Sequence, residues 1–211
     1  TNPKDPEQEM SLYDVFRQRW TDLERPAIVT SSQTWTWKSI DIRVRQSAQW
    51  LKDHRCESGS VFALQMPKSI DYLALVLAGL TQGVTILPLN PAYTRTEITN
   101  LLLDSRADIA ILHPDNVYRY GDCRIISADK VGTQISQRRP TETLPNQSLE
   151  QIGFLCYTSG TTGKPKGALI RQSNVNHTIE ALHKAWHWSP NDTLVHVLPM
   201  FHIHGLFVAQ F

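Results

Sequence analysis

The sequence predicts an α/β fold, mostly parallel sheets flanked by helices, and three observations carry that expectation. Short apolar runs at 61–65, 84–87 and 109–112 alternate with segments of helical character at 69–80 and 94–104. That alternation is the order in which parallel strands are joined by crossover helices. Gly83, Pro88 and Pro91 punctuate it at element ends. The run 72–80 is apolar nearly all round, as a helix enclosed between other elements must be. With 211 residues, 41% hydrophobic and 19% charged, the chain can bury a core and stands apart from disordered, collagenous and disulfide-scaffold compositions.

Taken in order, residues 1–10 are polar and read as a loose tail, after which Ser11 caps a short helix marked by Leu12, Val15, Phe16 and Trp20. Ala27 to Thr30 and Gln33 to Trp37 read as two strands of a hairpin across Ser31-Ser32. Thr36 then caps a helix in which Ile40, Val44, Ala48 and Leu51 recur at three- and four-residue steps, with Arg43, Arg45, Gln49 and Lys52 opposite. This helix is amphipathic and therefore superficial. Gly59 precedes the strand at 61–65, and Pro67-Lys68-Ser69 opens the enclosed helix. Residues 132–150, rich in Gln, Thr, Pro and Arg, read as an exposed connector and a candidate subdomain boundary. A strand at 152–157 and a helix over 173–188 follow.

Charge and cysteine content narrow the partners. The 21 Lys and Arg against 20 Asp and Glu leave +1, too little field to recruit nucleic acid or anionic membrane non-specifically. Anion binding must be local. The longest apolar run has nine residues, short of the roughly 20 a membrane span needs. Cys56, Cys123 and Cys156 are odd in number and lack zinc-site spacing, which points to a reducing compartment. The cytoplasm is expected, or the mitochondrial matrix if a transit peptide has been removed.

Residues 158–167 read Thr-Ser-Gly-Thr-Thr-Gly-Lys-Pro-Lys-Gly: three glycines, four hydroxyls and two lysines directly after a strand. Glycines let consecutive amides converge on an anion, hydroxyls donate further bonds, and a lysine supplies charge. The composition is that of a polyphosphate cradle. Pro165 follows Gly163-Lys164 where a Walker A loop needs Ser or Thr, and no G-x-G is present for a dinucleotide or kinase loop.

Residues 157–167 resemble the phosphate-binding signature of the adenylate-forming superfamily: acyl-CoA and aryl-CoA synthetases, luciferases and peptide-synthetase adenylation domains. A second stretch, Pro199-Met200-Phe201-His202-Ile203-His204-Gly205, stands where that family carries its substrate-side histidine motif. Residues 35–38 and 78–91 also follow the family's pattern, and 188–209 look most like malonyl-CoA synthetases. The resemblance implies the N-terminal portion of a large adenylating domain, spanning 1–211, with the family's mobile C-terminal domain farther along. It implies a substrate carboxylate attacking the α-phosphate of ATP, Mg²⁺ bridging the phosphates, and a thiol, that of CoA, taking the acyl group. Thr158, Ser159, Gly160, Thr161, Thr162 and Gly163 are then expected to wrap the β- and γ-phosphates, with Lys166 as the charge and Lys164 the lesser candidate. His202 is expected at the carboxylate or acyl-adenylate and His204 at the acyl pocket. No metal ligand is expected among these residues, because the family's metal-binding glutamate lies beyond 211.

Two departures stand out. Ser39 replaces the glutamate of a capping box, and Gln172 stands where many relatives carry a histidine. His183 and His187 are spaced i, i+4, but the residues between them lack the zincin glutamate, so they read as surface histidines. Trp186 and Trp188 read as packing. Ending on an apolar stretch without the family's later motifs, the 211-residue chain alone is expected to be inactive. Two other functions fit the same residues: an adenylation domain loading a carrier-protein thiol, and a non-catalytic nucleotide-binding module.

Overall fold

Hydroxyl side chains set where the first four helices begin. In α1 (Leu12–Arg17) Ser11 and Asp14 form a capping box, the hydroxyl accepting the Asp14 amide while the carboxylate accepts the Ser11 N–H. Thr36 accepts the Ser39 amide at the start of α2 (Trp37–Asp53), and Ser39 supplies no reciprocal bond but turns its hydroxyl onto the Thr36 carbonyl. Ser69 caps α3 (Ile70–Thr81), and Thr94 with Glu97 forms a second capping box at α4 (Arg95–Ser105). Ser11 and Thr36 are the caps the sequence offers. The computed structural model describes residues 10–145, 147–158 and 165–208.

The hairpin forms as expected, β1 (Pro26–Val29) pairing antiparallel with β2 (Thr34–Thr36). The main sheet has six strands: β3 (Val61–Leu64), β4 (Thr85–Pro88), β5 (Ile109–Leu112), β6 (Arg124–Ser127), β7 (Ile152–Thr158) and β8 (Lys166–Arg171). Their order is β6-β5-β3-β4-β7-β8, with every neighbouring pair parallel except β7 and β8. The mostly parallel α/β sheet of the sequence reading is therefore present.

Successive residues divide between the faces. Phe62, Leu64, Ile86, Ile109, Ile111 and Phe154 join a large core with α1, α2 and α3. Ala63, Leu87, Ala110, Leu112 and Leu155 join a smaller one built on Ile98, Leu101 and Leu102 of α4. As its all-round apolar pattern requires, α3 is buried at every position from Tyr72 to Thr81.

Part of the 132–150 reading is corrected. Residues 128–136 form α5 (Ala128–Ser136), whose Val131 and Ile135, one turn apart, are completely buried. Of the described residues that remain, 137–145 and 147–149 form no helix or strand, and Leu149 is buried. The helix escapes a compositional reading because two apolar residues suffice for its single buried face. Arg43, placed on the exposed side of α2, instead donates to Asp71 of α3 at 2.6 Å and to the Gly132 carbonyl at 2.9 Å. It ties α5 to the helices beneath.

The last helix, α6 (Gln172–Trp186), begins one residue before the expected Ser173 and ends two short of Trp188. Gln172 is fully buried. Its Oε1 accepts the Leu12 amide at 2.7 Å, one of the N–H groups that the first turn of α1 leaves without a helical partner, and its Nε2 donates to the Leu80 carbonyl at 3.2 Å. This residue joins α1, α3 and α6. His183 and His187 are exposed, and the Trp186 and Trp188 rings pack on each other 5.8 Å apart.

Candidate active site

In an open parallel sheet, ligands bind beyond the carboxyl ends of the strands, where neighbouring connections diverge. Here the divergence falls between β4 and β7: the chain leaves β4 for α4 and β5 on one side, and leaves β7 toward β8 on the other. A cleft of about 580 Å³ opens there. One wall is the strand-end residues Leu87 and Pro88 of β4 and Cys156, Tyr157 and Thr158 of β7; the other is the turn 198–205.

The β7 wall is held by the sheet. Thr158 pairs with Lys166 at the mouth of the β7–β8 hairpin, and its hydroxyl donates to the Lys166 carbonyl at 3.4 Å. Tyr157 pairs with Gly167, and a side chain there would bring its Cβ to 2.8 Å from Leu155 Cδ1 and 3.3 Å from the Tyr157 ring. The glycine leaves room for the ring, whose hydroxyl donates to Asp104 of α4 at 2.5 Å. Burial, then that bond and the Asp104 charge, raise the Tyr157 hydroxyl above its ordinary value. Burial pushes the Cys156 thiol up to about 11, so it is an unreactive lining group.

The histidine wall is built differently. Residues 194–198 run along the surface outside every strand, with Val195 and Val197 80% and 78% exposed. The chain then turns: the His202 amide donates to the Pro199 carbonyl at 3.3 Å, and the His202 carbonyl accepts from Leu206 at 2.8 Å at the start of a π-helical turn, His204–Val208. Gly205 is required, since a Cβ would lie 2.1 Å from the Pro199 carbonyl oxygen. Buried Met200, Leu206 and Phe207 root the turn in the core. His202 and His204 are exposed and both line the cleft.

Of the sequence-derived site residues, Thr158, His202 and His204 thus meet at one cleft. Lys166 is exposed beside Thr158 as the first residue of β8. Ser159, Gly160, Thr161, Thr162, Gly163 and Lys164 lie outside the described residues. Sequence reasoning passed over Asn90, Tyr93 and Tyr157, which also line the cleft. Of the stretch 90–93 only Pro91 is legible, as punctuation, and Tyr157 only as a strand end and the first residue of the loop signature. It also passed over Gln65, fully buried at the end of β3. Its amide donates to the Asn90 and Pro91 carbonyls and its oxygen accepts from His113 and Asn116. Gln65 therefore fixes the loops at the sheet's carboxyl edge, and its role rests on contacts 25 to 51 residues away.

Among the described residues no cluster of three or more His, Cys, Asp or Glu is placed to hold a metal ion, and no helix is long and apolar enough to cross a membrane. The three cysteines are free.

A family model described as "AMP-binding enzyme" matches residues 16–211. Among similar proteins, syringomycin synthase SyrB1 of Pseudomonas syringae pv. syringae is 26% identical over 92% of this chain and 31% of its own length. The mitochondrial malonate–CoA ligase ACSF3 of Bos taurus is 25% identical over 87% of this chain and 33% of its own. The chain thus spans about a third of the length of these relatives. Among solved structures, apo MatB from Rhodopseudomonas palustris superposes with a TM-score of 0.87 at 26% identity, over 96% of this chain and 42% of that one. With the family model running through both walls of the cleft, the chain belongs to the AMP-binding enzymes, the adenylate-forming family of acyl-CoA ligases and adenylation domains.

Proposed function

We propose that this chain is the triphosphate- and carboxylate-binding part of an acid–thiol ligase that works through an acyl-adenylate, with a short or malonyl-type acid as substrate and CoA as acceptor. The observation that carries the reading is the meeting of Thr158, the first residue of the hydroxyl and glycine loop, with His202 and His204 at one cleft beyond the strand ends. The relatives named for malonate–CoA ligation favour the acid.

Both first reactants are anions, so the barrier falls when fixed donors face them before they meet. A carboxylate oxygen forms a bond to the α-phosphorus of ATP while the bond to the β-phosphate oxygen breaks and pyrophosphate leaves. The CoA thiol then loses its proton, attacks the acyl carbon and releases AMP. In this scheme the amides and hydroxyls of 158–163 receive the β- and γ-phosphates and Lys166 neutralises their charge. The exposed His202 imidazole donates to the carboxylate and then to the acyl-adenylate, and His204 lines the acyl side. Mg²⁺, when bound, would screen the phosphates; among the described residues no cluster of three or more His, Cys, Asp or Glu is placed to hold it. A carrier-protein thiol is the second acceptor to consider, since the loop signature is shared with peptide-synthetase adenylation domains and a syringomycin synthase is among the similar proteins.

Malonate-dependent ATP–pyrophosphate exchange by the complete gene product tests the proposal. Exchange with a short acid is expected, falling about a hundredfold in Lys166→Ala and in His202→Ala with unchanged melting temperature. The 211-residue chain alone is expected to release no pyrophosphate. ATP binding without exchange for any acid, or wild-type exchange in both variants, contradicts it. Thioester formation on CoA or on a carrier protein then decides the acceptor.

A further inference from the structure

The histidine segment is solvent-flanked and outside the sheet, yet it ends in a tightly defined turn. Because Val195 and Val197 face water, burial of side chains contributes little to holding 194–198. Three polar side chains hold it and its turn instead. Lys68, in the loop between β3 and α3, donates its ammonium to the His196 carbonyl at 2.5 Å and to the Leu198 carbonyl at 3.1 Å. His196 lies between Val195 and Val197 and is less exposed, and its Nε2 lies 2.9 Å from the Gly205 carbonyl. A carbonyl only accepts, so Nε2 carries the proton. Tyr72 of α3, fully buried, donates to the Met200 carbonyl at 3.3 Å.

Together these bonds bracket His202: three are made to carbonyls before it, at 196, 198 and 200, and one to the Gly205 carbonyl after it. Lys68 makes no salt bridge with a carboxylate among the described residues, so its charge is directed at backbone dipoles. Such charge-assisted bonds are about twice as strong as neutral ones. Burial and the neighbouring Lys68 charge also lower His196 below the ordinary histidine value, against the raising effect of its bond to Gly205. It persists as a neutral donor.

We infer that Lys68 and His196 are positioning residues: they clamp the segment 196–205 so that the His202 imidazole is held in place across the cleft from Thr158. Neither touches substrate. Their effect on reaction is through the placement of His202, and so the inference rests on the ligase reading for its kinetic consequence but not for its structural one.

Two measurements test it on Lys68→Met and His196→Ala, with Lys68→Arg and His196→Gln restoring a donor at each site. In the 211-residue chain, hydrogen–deuterium exchange at the His202 and Leu206 amides should quicken about tenfold in the first pair and return toward wild type in the second. Amides of β3 to β5 should not change. In the complete gene product, kcat for pyrophosphate exchange should fall about tenfold in the first pair with KM for ATP unchanged, as expected when a reacting group is misplaced and not when a binding contact is lost. Unchanged amide exchange in both disruptive variants overturns the clamp. So does a rise in KM for the acid at constant kcat, which would make Lys68 a substrate contact. If the complete gene product is inactive with every short acid, the ligase reading fails alone, and the amide exchange still decides the clamp.

Discussion

The two walls of the cleft are positioned by different physics. Thr158 and Tyr157 belong to β7, which is bonded to a strand on either side and whose side chains reach both cores. His202 stands at the end of a surface segment that pairs with no strand and is held by Lys68, His196, Tyr72 and the few apolar residues of its turn. A ladder distributes its load over many equivalent bonds; a clamp concentrates it in a few. Changes in packing should therefore tell unequally: single ones should be absorbed at the β7 wall and amplified at the histidine wall.

Paired glycine substitutions break that comparison most sharply. In Gly205→Ala the new Cβ meets backbone, the Pro199 carbonyl, at 2.1 Å, so the turn must open. A loss of about 2–3 kcal/mol in chemical unfolding is expected. In Gly167→Ala the new Cβ meets side chains, Leu155 at 2.8 Å and the Tyr157 ring at 3.3 Å, which can shift a few tenths of an ångström. About 1 kcal/mol is expected there. Equal losses would erase the distinction between the walls.

The pH edges sharpen it with a smaller effect. On the β7 wall Cys156 is raised to about 11 and Tyr157 is raised too. Groups raised on folding contribute stability that is fully present below their ordinary values and is lost as pH rises through the raised ones. On the histidine wall His196 is lowered, and its contribution is present above the ordinary histidine value and lost as pH falls through the lowered one. Thermal unfolding across pH should therefore show an alkaline decline that shrinks in Cys156→Ala and an acid decline that shrinks in His196→Gln. The opposite pairing would contradict the assignment.

The same contrast explains what could be read from the residues. Strands β3, β4, β5 and β7 are apolar runs with glycine or proline near their borders, and the hydroxyls of Ser11 and Thr36 announce their helices one residue ahead. By contrast β6 and β8 are edge strands: Arg124 to Ser127 offers two isoleucines, and Lys166 to Arg171 is mostly exposed, so neither needs an apolar pattern. In α5 two buried residues carry the packing, below what a composition can signal. At the site, Thr158, His202 and His204 were legible because their motifs are local. Lys68, Gln65 and Gln172 were not. Each acts on backbone groups far along the chain, Lys68 on a carbonyl 128 residues away and Gln172 on an amide 160 away, and a side chain that serves a distant backbone leaves no periodicity or spacing behind.

Thr158 and the turn carrying His202 line one cleft, and the proposed ligase reading requires that two anions be held there. A crystal structure of the chain with a non-hydrolysable ATP analogue tests it most directly. The β- and γ-phosphates should lie against the amides of 158–163 with the Lys166 ammonium beside them and the α-phosphate toward His202. A triphosphate seated elsewhere on the molecule, with Lys166 turned away and His202 facing empty solvent, would contradict the claim.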